Sequence, residues 1–86
     1  MPPLEVYATA FCPFCHKAKA LLKKKGGAFE EHDGTFQPKK RAAMTARADG
    51  RTSVPQIFID DVGIGGCDEL HALDAKGELD AKLGLA

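Results

Sequence analysis

The sequence predicts an α/β fold with elements in the order β-α-β-α-β-β-α. Short stretches typical of strands alternate with stretches whose apolar residues recur at helical spacing. The run Pro-Gln-Ile-Phe-Ile-Asp places three apolar residues in a row, which is typical of an inner strand covered by helices on both faces. With 86 residues the chain has room for one domain, which we assign to residues 1–86.

The first strand and the first helix follow from the amino-terminal third of the chain. Leu4 to Ala8 alternates apolar and polar residues, as a strand does. Pro13 suits the first position of a helix because its backbone angle is already helical and its missing N–H would have no partner there. Gly26 and Gly27 end this helix. Its apolar positions recur at helical spacing and are Phe14, Ala18, Leu21 and Leu22.

The middle of the chain contains a weaker strand and a second helix. The strand is predicted over Ala28 to Asp33 and is closed by Gly34. The helix is predicted to begin near Pro38 and to end near Ala48, with Met44 as a core contact.

The last third of the chain is predicted to form two strands and a helix. The stronger strand spans Ser53 to Asp60, and a turn at Asp60-Asp61 leads into a short second strand. A helix then begins near Cys67 and is loosened or broken at Gly77. Its apolar positions are Leu70, Leu73, Leu79 and Leu83.

Composition excludes several classes of function. Twelve basic and twelve acidic residues cancel, so the chain has no overall field that would collect nucleic acid or anionic lipid. No stretch approaches the roughly 18 apolar residues of a membrane span. Three cysteines are too few, and an odd number, for a secreted disulfide scaffold. We therefore expect a soluble, cytoplasmic monomer that binds neither nucleic acid nor membrane.

The motif Cys-Pro-Phe-Cys at Cys12 to Cys15 points to thiol chemistry. Two residues three apart on a helix share one face, so the two sulfur atoms can approach each other. The attacking species in thiol chemistry is the thiolate, and backbone N–H groups at a helix amino terminus stabilise an anion. Cys12 is at that terminus, while Cys15 is one turn further in. We therefore predict that Cys12 is the nucleophile and Cys15 the resolving thiol.

Three other interpretations of the motif remain open. With His16 included, Cys-Pro-Phe-Cys-His has the spacing of covalent haem attachment, but a small haem domain would be mostly helical and this chain predicts a sheet. A zinc site would need two ligands besides these cysteines. The candidates are Cys67 with His32 or His71, and their positions lack the spacing of a paired zinc site. The third interpretation is that Cys12 and Cys15 are an unreactive pair. We expect no bound metal, and an exposed helix position for His16.

Three segments together resemble the glutaredoxins of the dithiol class over nearly the whole chain. They are Cys-Pro-Phe-Cys, Thr-Ser-Val-Pro-Gln-Ile-Phe-Ile-Asp and Gly-Gly-Cys-Asp-Glu-Leu, in that order. The resemblance implies a thioredoxin-like fold, with a four-stranded mixed sheet flanked by three helices. It also implies reduction of protein disulfides and of glutathione mixed disulfides, with glutathione as the reducing cosubstrate. The implied partners are glutathione and disulfide-containing or glutathionylated client proteins.

The resemblance also implies residue roles. Cys12 would attack and become glutathionylated, and Cys15 would resolve substrates that need two thiols. The Val54-Pro55 peptide would be cis, with the Val54 backbone paired to the cysteine of glutathione. The implied glutathione-binding residues are Thr9, Phe14, Arg41, Ser53, Val54, Pro55, Gly66, Cys67 and Asp68.

Some of these roles have plainer alternatives. Asp68 would bind the free ammonium group of glutathione, but it also suits a helix cap. Cys67 is a reactive thiol or a small packed residue. Thr9 replaces a lysine that is usual in the family, and Phe14 replaces a tyrosine. Arg41 would then meet the glycine carboxylate of glutathione alone, or be a solvated surface residue.

Two other functions compete with glutathione-dependent reduction. Some glutaredoxins hold a [2Fe–2S] cluster between two protomers through the first cysteine and glutathione. Pro13 and the second thiol argue against this as the main role, because a dithiol can close into a disulfide. A reductase served by a thioredoxin reductase also fits the motif, but Gly-Gly-Cys-Asp favours glutathione.

Overall fold

A four-stranded mixed sheet forms the centre of the protein in a computed structural model that describes residues 1–85. The spatial order of the strands is β2-β1-β3-β4. β1 pairs with β2 in parallel, whereas β3 is antiparallel to both β1 and β4. The strands are β1 (Leu4–Ala8), β2 (Glu30–Asp33), β3 (Gln56–Ile59) and β4 (Val62–Gly65).

The described residues contain four helices, which cover both faces of the sheet. A larger core joins one face to α1, α3 and α4, and a smaller core joins the other face to α2. None of these helices is long and apolar enough to span a membrane. The helices are α1 (Pro13–Lys24), α2 (Pro38–Arg47), α3 (Cys67–Ala75) and α4 (Glu78–Lys82).

The predicted inner strand is confirmed. All four residues of β3 are buried. Ile57 and Ile59 enter the larger core, and Phe58 enters the smaller one, since successive side chains of a strand point to opposite faces.

Two strands begin later than predicted. β2 begins at Glu30 and not at Ala28, because its pairing with β1 starts at the Glu5–Glu30 register position. β3 begins at Gln56 and not at Ser53. The predicted break of the last helix at Gly77 is confirmed, since the φ of 75° at this residue is left-handed and incompatible with a continuous helix. The division gives four helices where the resemblance implied three.

The topology gathers the three family-like segments at one end of the sheet. Tyr7 near the end of β1 pairs with Gln56 at the start of β3, and Ile57 pairs with Gly65 at the end of β4. The loop after β1, the loop before β3 and the start of α3 therefore meet at the same end.

Candidate active site

Cys12 occupies the N-cap position of α1. Its backbone is extended, with φ −113° and ψ 106°, and Pro13 fills the first helical position as predicted. The backbone N–H of Cys15 donates a hydrogen bond to the Cys12 sulfur at 3.2 Å. The Cys12 thiol in turn lies 3.8 Å from the Val54 carbonyl oxygen, to which it donates. The half-buried sulfur therefore receives a helix N–H, an arrangement that stabilises a thiolate.

Cys15 is in a different environment from Cys12. Its side chain is fully buried in the larger core. Burial, and to a lesser extent the neighbouring Cys12 sulfur, raises the pKa of the Cys15 thiol to about 12. A thiolate without access to water is costly, so Cys15 stays protonated at neutral pH. The two sulfurs are thus unequal in the sense that the sequence predicted.

The segment Val54-Pro55 packs closely against the start of α3. The peptide bond between them is cis, as the resemblance implied. Gly66 is the N-cap of α3, and a Cβ atom at this position would lie 3.1 Å from the Pro55 carbonyl oxygen. Glycine is needed here because a side chain would push α3 away from the loop that faces Cys12.

A cleft of about 150 Å³ brings together seven of the nine predicted glutathione-binding residues. Three segments form its walls, namely the start of α1, the loop before β3 and the first turn of α3. The predicted residues that line it are Phe14, Ser53, Val54, Pro55, Gly66, Cys67 and Asp68.

Thr9 and Arg41, the other two predicted residues, are outside this lining. Arg41 extends along Gly34, and its Nη2 donates to the Thr52 carbonyl oxygen at 2.9 Å. It therefore sits behind the loop that carries Ser53. Thr9 is half-buried, and its backbone lowers the pKa of the Cys15 thiol slightly, against the larger effect of burial. Their contacts with glutathione remain predictions.

Sequence reasoning missed two charged residues that also line the cleft, Arg51 and Glu69. Arg51 Nη2 donates to Glu69 Oε1 at 2.6 Å, and this contact lowers the pKa of the Glu69 carboxyl. Each residue lies next to a segment that the sequence had singled out. Their partnership was not visible in the sequence, because 18 positions separate them.

Cys67 is a buried side chain of the larger core. Burial, together with the nearby charge of Asp68, raises the pKa of the Cys67 thiol. This environment favours the interpretation of Cys67 as a small packed residue.

His16 is exposed, as predicted. Its Nε2 lies 3.2 Å from the Ala10 carbonyl oxygen, to which the ring N–H donates. In the described part of the chain, the one group of three side chains with metal-ligating atoms close together is Glu5, Glu30 and His32. This group lies on β1 and β2, and none of the cysteines belongs to it, nor does His71.

The comparisons with known proteins agree with this geometry. The family model named Glutaredoxin matches residues 4–64. Glutaredoxin 3 of Escherichia coli K12 is 53% identical over 83 residues, which are 96% of this chain and 99% of that protein. A glutaredoxin of Pseudomonas aeruginosa is 51% identical over 83 residues, covering 96% of this chain and 98% of its own.

Solved structures give the same result for the fold. The solution structure of a Brucella melitensis glutaredoxin matches with a TM-score of 0.85 and 46% identity, covering 99% of this chain and 91% of that one. A crystal structure of a buckwheat glutaredoxin–glutathione complex matches with a TM-score of 0.86 and 27% identity, covering 96% of this chain and 77% of the other. The thioredoxin-like fold is therefore confirmed, and the chain belongs to the glutaredoxin family of thiol-disulfide oxidoreductases.

Proposed function

We propose that this enzyme uses glutathione to reduce glutathione mixed disulfides and protein disulfides. The observation that carries the proposal is the inequality of the two sulfurs beside the cleft. Cys12 is partly exposed and receives a helix N–H, while Cys15 is buried and held protonated. Such a pair attacks with the first sulfur and resolves with the second.

The reaction with a glutathione mixed disulfide needs Cys12 alone. The Cys12 thiolate attacks the glutathione sulfur, the client–glutathione S–S bond breaks, and the client thiolate leaves and takes up a proton. A second glutathione, as its thiolate, attacks the glutathione sulfur bound to Cys12. This step releases oxidised glutathione and restores the Cys12 thiolate.

The reaction with a protein disulfide also uses Cys15. Cys12 attacks one sulfur of the client and forms a mixed disulfide with it. Cys15 then attacks the Cys12 sulfur, its proton passes to the departing client thiolate, and a Cys12–Cys15 disulfide remains. Two glutathione molecules reduce this disulfide and leave as oxidised glutathione. The 3.2 Å contact between Cys15 N–H and the Cys12 sulfur supports this step because it holds the two residues together.

The cleft beside Cys12 is the proposed glutathione site. In this arrangement the Val54 backbone pairs with the cysteine of glutathione, and Asp68 receives its ammonium group at the start of α3. Phe14, Ser53 and Pro55 form the walls of the cleft. The cleft in the present chain has the segments expected for this ligand, and a buckwheat relative has been solved as a glutathione complex.

The remaining predicted contacts would complete the binding of glutathione. Gly66 and Cys67 would hold the γ-glutamyl end, with their small side chains permitting close approach. Arg41 would attract the glycine carboxylate by charge, and Thr9 would add no charge there.

A glutathione-coupled assay on a small glutathione mixed disulfide tests the proposal, with Cys12→Ser and Cys15→Ser as paired variants. We expect Cys12→Ser to have no activity. Cys15→Ser should retain release of glutathione from the mixed disulfide but lose reduction of a protein disulfide. Equal activity of the two variants would remove the assignment of the nucleophile, and failure of glutathione to turn over the wild type would remove the cosubstrate.

We also propose that the enzyme acts as a monomer in the cytoplasm. Three cysteines are too few, and an odd number, for the disulfide scaffold of a secreted domain, which favours a reducing compartment. Sedimentation over a range of protein concentrations tests the monomer, and a mass that rises with concentration would contradict it.

A further inference from the structure

We propose that Phe11 and Phe36 form a docking surface for client proteins beside Cys12. The partner it fits is an extended client segment in which apolar residues flank the oxidised cysteine and acidic residues follow. The inference builds on the proposed reduction of client disulfides, and it concerns how the client, as distinct from glutathione, is bound.

The phenylalanines of this chain are divided between the core and the active-site end. Phe58 is 1% exposed, as expected for a large aromatic residue. Phe11, Phe14 and Phe36 are instead 84%, 56% and 93% exposed. Scattered apolar residues on a surface need no explanation, but a cluster of aromatic residues at a reactive sulfur is typical of an interaction site.

Hydrogen bonds between two loops place Phe11 and Phe36 near each other. The Ala10 N–H donates to Thr35 Oγ1 at 2.7 Å, and the Gly34 N–H donates to the Ala8 carbonyl oxygen at 2.8 Å. Phe11 directly follows Ala10 and Phe36 directly follows Thr35, so each phenylalanine is next to a residue of the first hydrogen bond. Phe11 also directly precedes Cys12, so the two loops that carry these phenylalanines lie beside the active-site cysteine.

The loop that carries Phe36 holds the backbone of this residue in an unfavourable conformation. Phe36 has a φ of 57°, in the left-handed region that bulky residues seldom adopt, at a cost of about 1 kcal/mol or more. Asp33 Oδ1 accepts the Thr35 N–H at 2.8 Å, and the Gln37 N–H donates to the Gly34 carbonyl oxygen at 3.0 Å. The loop backbone is therefore ordered by its own hydrogen bonds and presents the Phe36 ring to solvent, which lowers the ordering cost of a contact there.

The charge around this surface indicates the chemistry of the partner. Lys39 and Lys40 are exposed in the first turn of α2, only three and four residues after Phe36. That turn contains no acidic residue, so the positive end of the helix dipole adds to the two lysines. Asp33, at the end of β2, accepts the Thr35 N–H, and its charge offsets part of that of Lys40, so the two lysines still outnumber it. An acidic segment is the complement of this surface.

The docking surface and the glutathione cleft use different residues. Neither Phe11 nor Phe36 lines the cleft. A client can therefore be recognised at these two rings while the cleft is occupied. Their removal should change the choice of protein substrate and leave the reaction with small mixed disulfides unchanged.

Two synthetic glutathionylated peptides test the proposal. One has the core Glu-Glu-Leu-Cys-Leu-Glu and the other has Ser-Ser-Gly-Cys-Gly-Ser. We expect wild-type kcat/KM for the first peptide to exceed that for the second by about tenfold, a size that aromatic contacts at interfaces reach. The double variant Phe11→Ala/Phe36→Ala should lose this preference, and Lys39→Ser/Lys40→Ser should lose part of it and lose its salt dependence. Activity on a small mixed disulfide should remain within about twofold in both.

A control variant and a binding measurement keep the outcome clear. Val62→Ala removes an apolar residue that is 61% exposed at the other end of the sheet, and it should keep the full preference. Fluorescence titration with the same peptides, carrying serine in place of cysteine, measures docking without any glutathione chemistry and should show the same order of affinities. A wild type that binds these peptides but does not turn over with glutathione would contradict the proposed function only. The docking surface would be overturned if the wild type had equal kcat/KM for the two peptides, or if the Phe11/Phe36 variant kept the full preference. It would also be overturned if the wild type were a dimer that this double variant converts to a monomer.

Discussion

Arg51 and Glu69 form an ion pair of 2.6 Å across the edge of the cleft beside Cys12. Arg51 belongs to the loop that leads to Pro55, and Glu69 belongs to the first turn of α3. The pair packs over Gly65, where a Cβ atom would lie 2.8 Å from the Glu69 side chain and 2.9 Å from Arg51. It thus connects the two walls of the cleft directly.

Breaking this pair should weaken glutathione binding more than it slows the chemistry. Both side chains are more than 40% exposed, so the contribution to the free energy of unfolding is about 0.5 kcal/mol. Glu69→Gln should raise KM for glutathione by about threefold while kcat stays nearly constant, because the walls lose their connection and Cys12 is untouched. The exchanged pair Arg51→Glu/Glu69→Arg should recover part of the loss. A kcat that falls as much as kcat/KM would contradict a positioning role.

Gly65 should tolerate a side chain less well than Gly77, although both glycines have a positive φ. Gly65 and Gly77 both have positive φ, 104° and 75°, but a Cβ at Gly77 would meet nothing within 4 Å. Gly77→Ala should therefore lower the free energy of unfolding by about 1 kcal/mol, the cost of the backbone angle alone. Gly65→Ala should lower it by about 1.5 kcal/mol, because the Arg51–Glu69 pair, which contributes about 0.5 kcal/mol, must also move. Urea denaturation of both variants makes the comparison, and equal losses would show that the pair adapts freely.

The reactive segments could be predicted from the sequence because their signals are local. Pro13 marks the first turn of α1, and a glycine pair marks the start of α3, whatever the rest of the chain does. Boundaries and pairings that depend on distant partners could not be predicted. β2 starts where β1 offers pairing and not where its apolar residues begin, at Ala28. Arg41 meets the carbonyl group of Thr52, a contact that only the packing of α2 against that loop creates.

Acid should destabilise the protein through Glu5, on the sheet face opposite α1. Arg47 and then His32 bind this carboxylate and lower its pKa from 4.5 to about 2. The depressed pKa contributes stability that is complete above pH 4.5 and is lost as the pH falls toward 2. Glu5→Gln should lower the free energy of unfolding by about 2 kcal/mol at pH 7, and the difference from wild type should shrink between pH 4.5 and pH 3.

The control for this measurement is Glu78→Gln, an exposed carboxyl at the start of α4, outside the group formed by Glu5, Glu30 and His32. Its unfolding free energy should follow the wild-type pH profile. If the Glu5→Gln and wild-type curves stay parallel down to pH 3, the carboxylate does not stabilise the fold through its charge.

The three cysteines should differ sharply in their reaction with an alkylating reagent. Burial raises the pKa of Cys15 to about 12 and raises that of Cys67 as well, so both sulfurs ionise less readily than a free cysteine. The partly exposed Cys12 accepts the Cys15 N–H and is open to attack from solvent. Iodoacetamide at pH 7 to 8.5 should therefore modify Cys12 in the reduced protein and leave the other two untouched until urea unfolds the chain. Peptide mass spectrometry after a short pulse measures this order. The thiolate is the species that reacts with iodoacetamide. If Cys15 in the folded protein were modified at a rate comparable with Cys12, its sulfur would ionise readily. The division into an attacking and a resolving thiol would then be wrong.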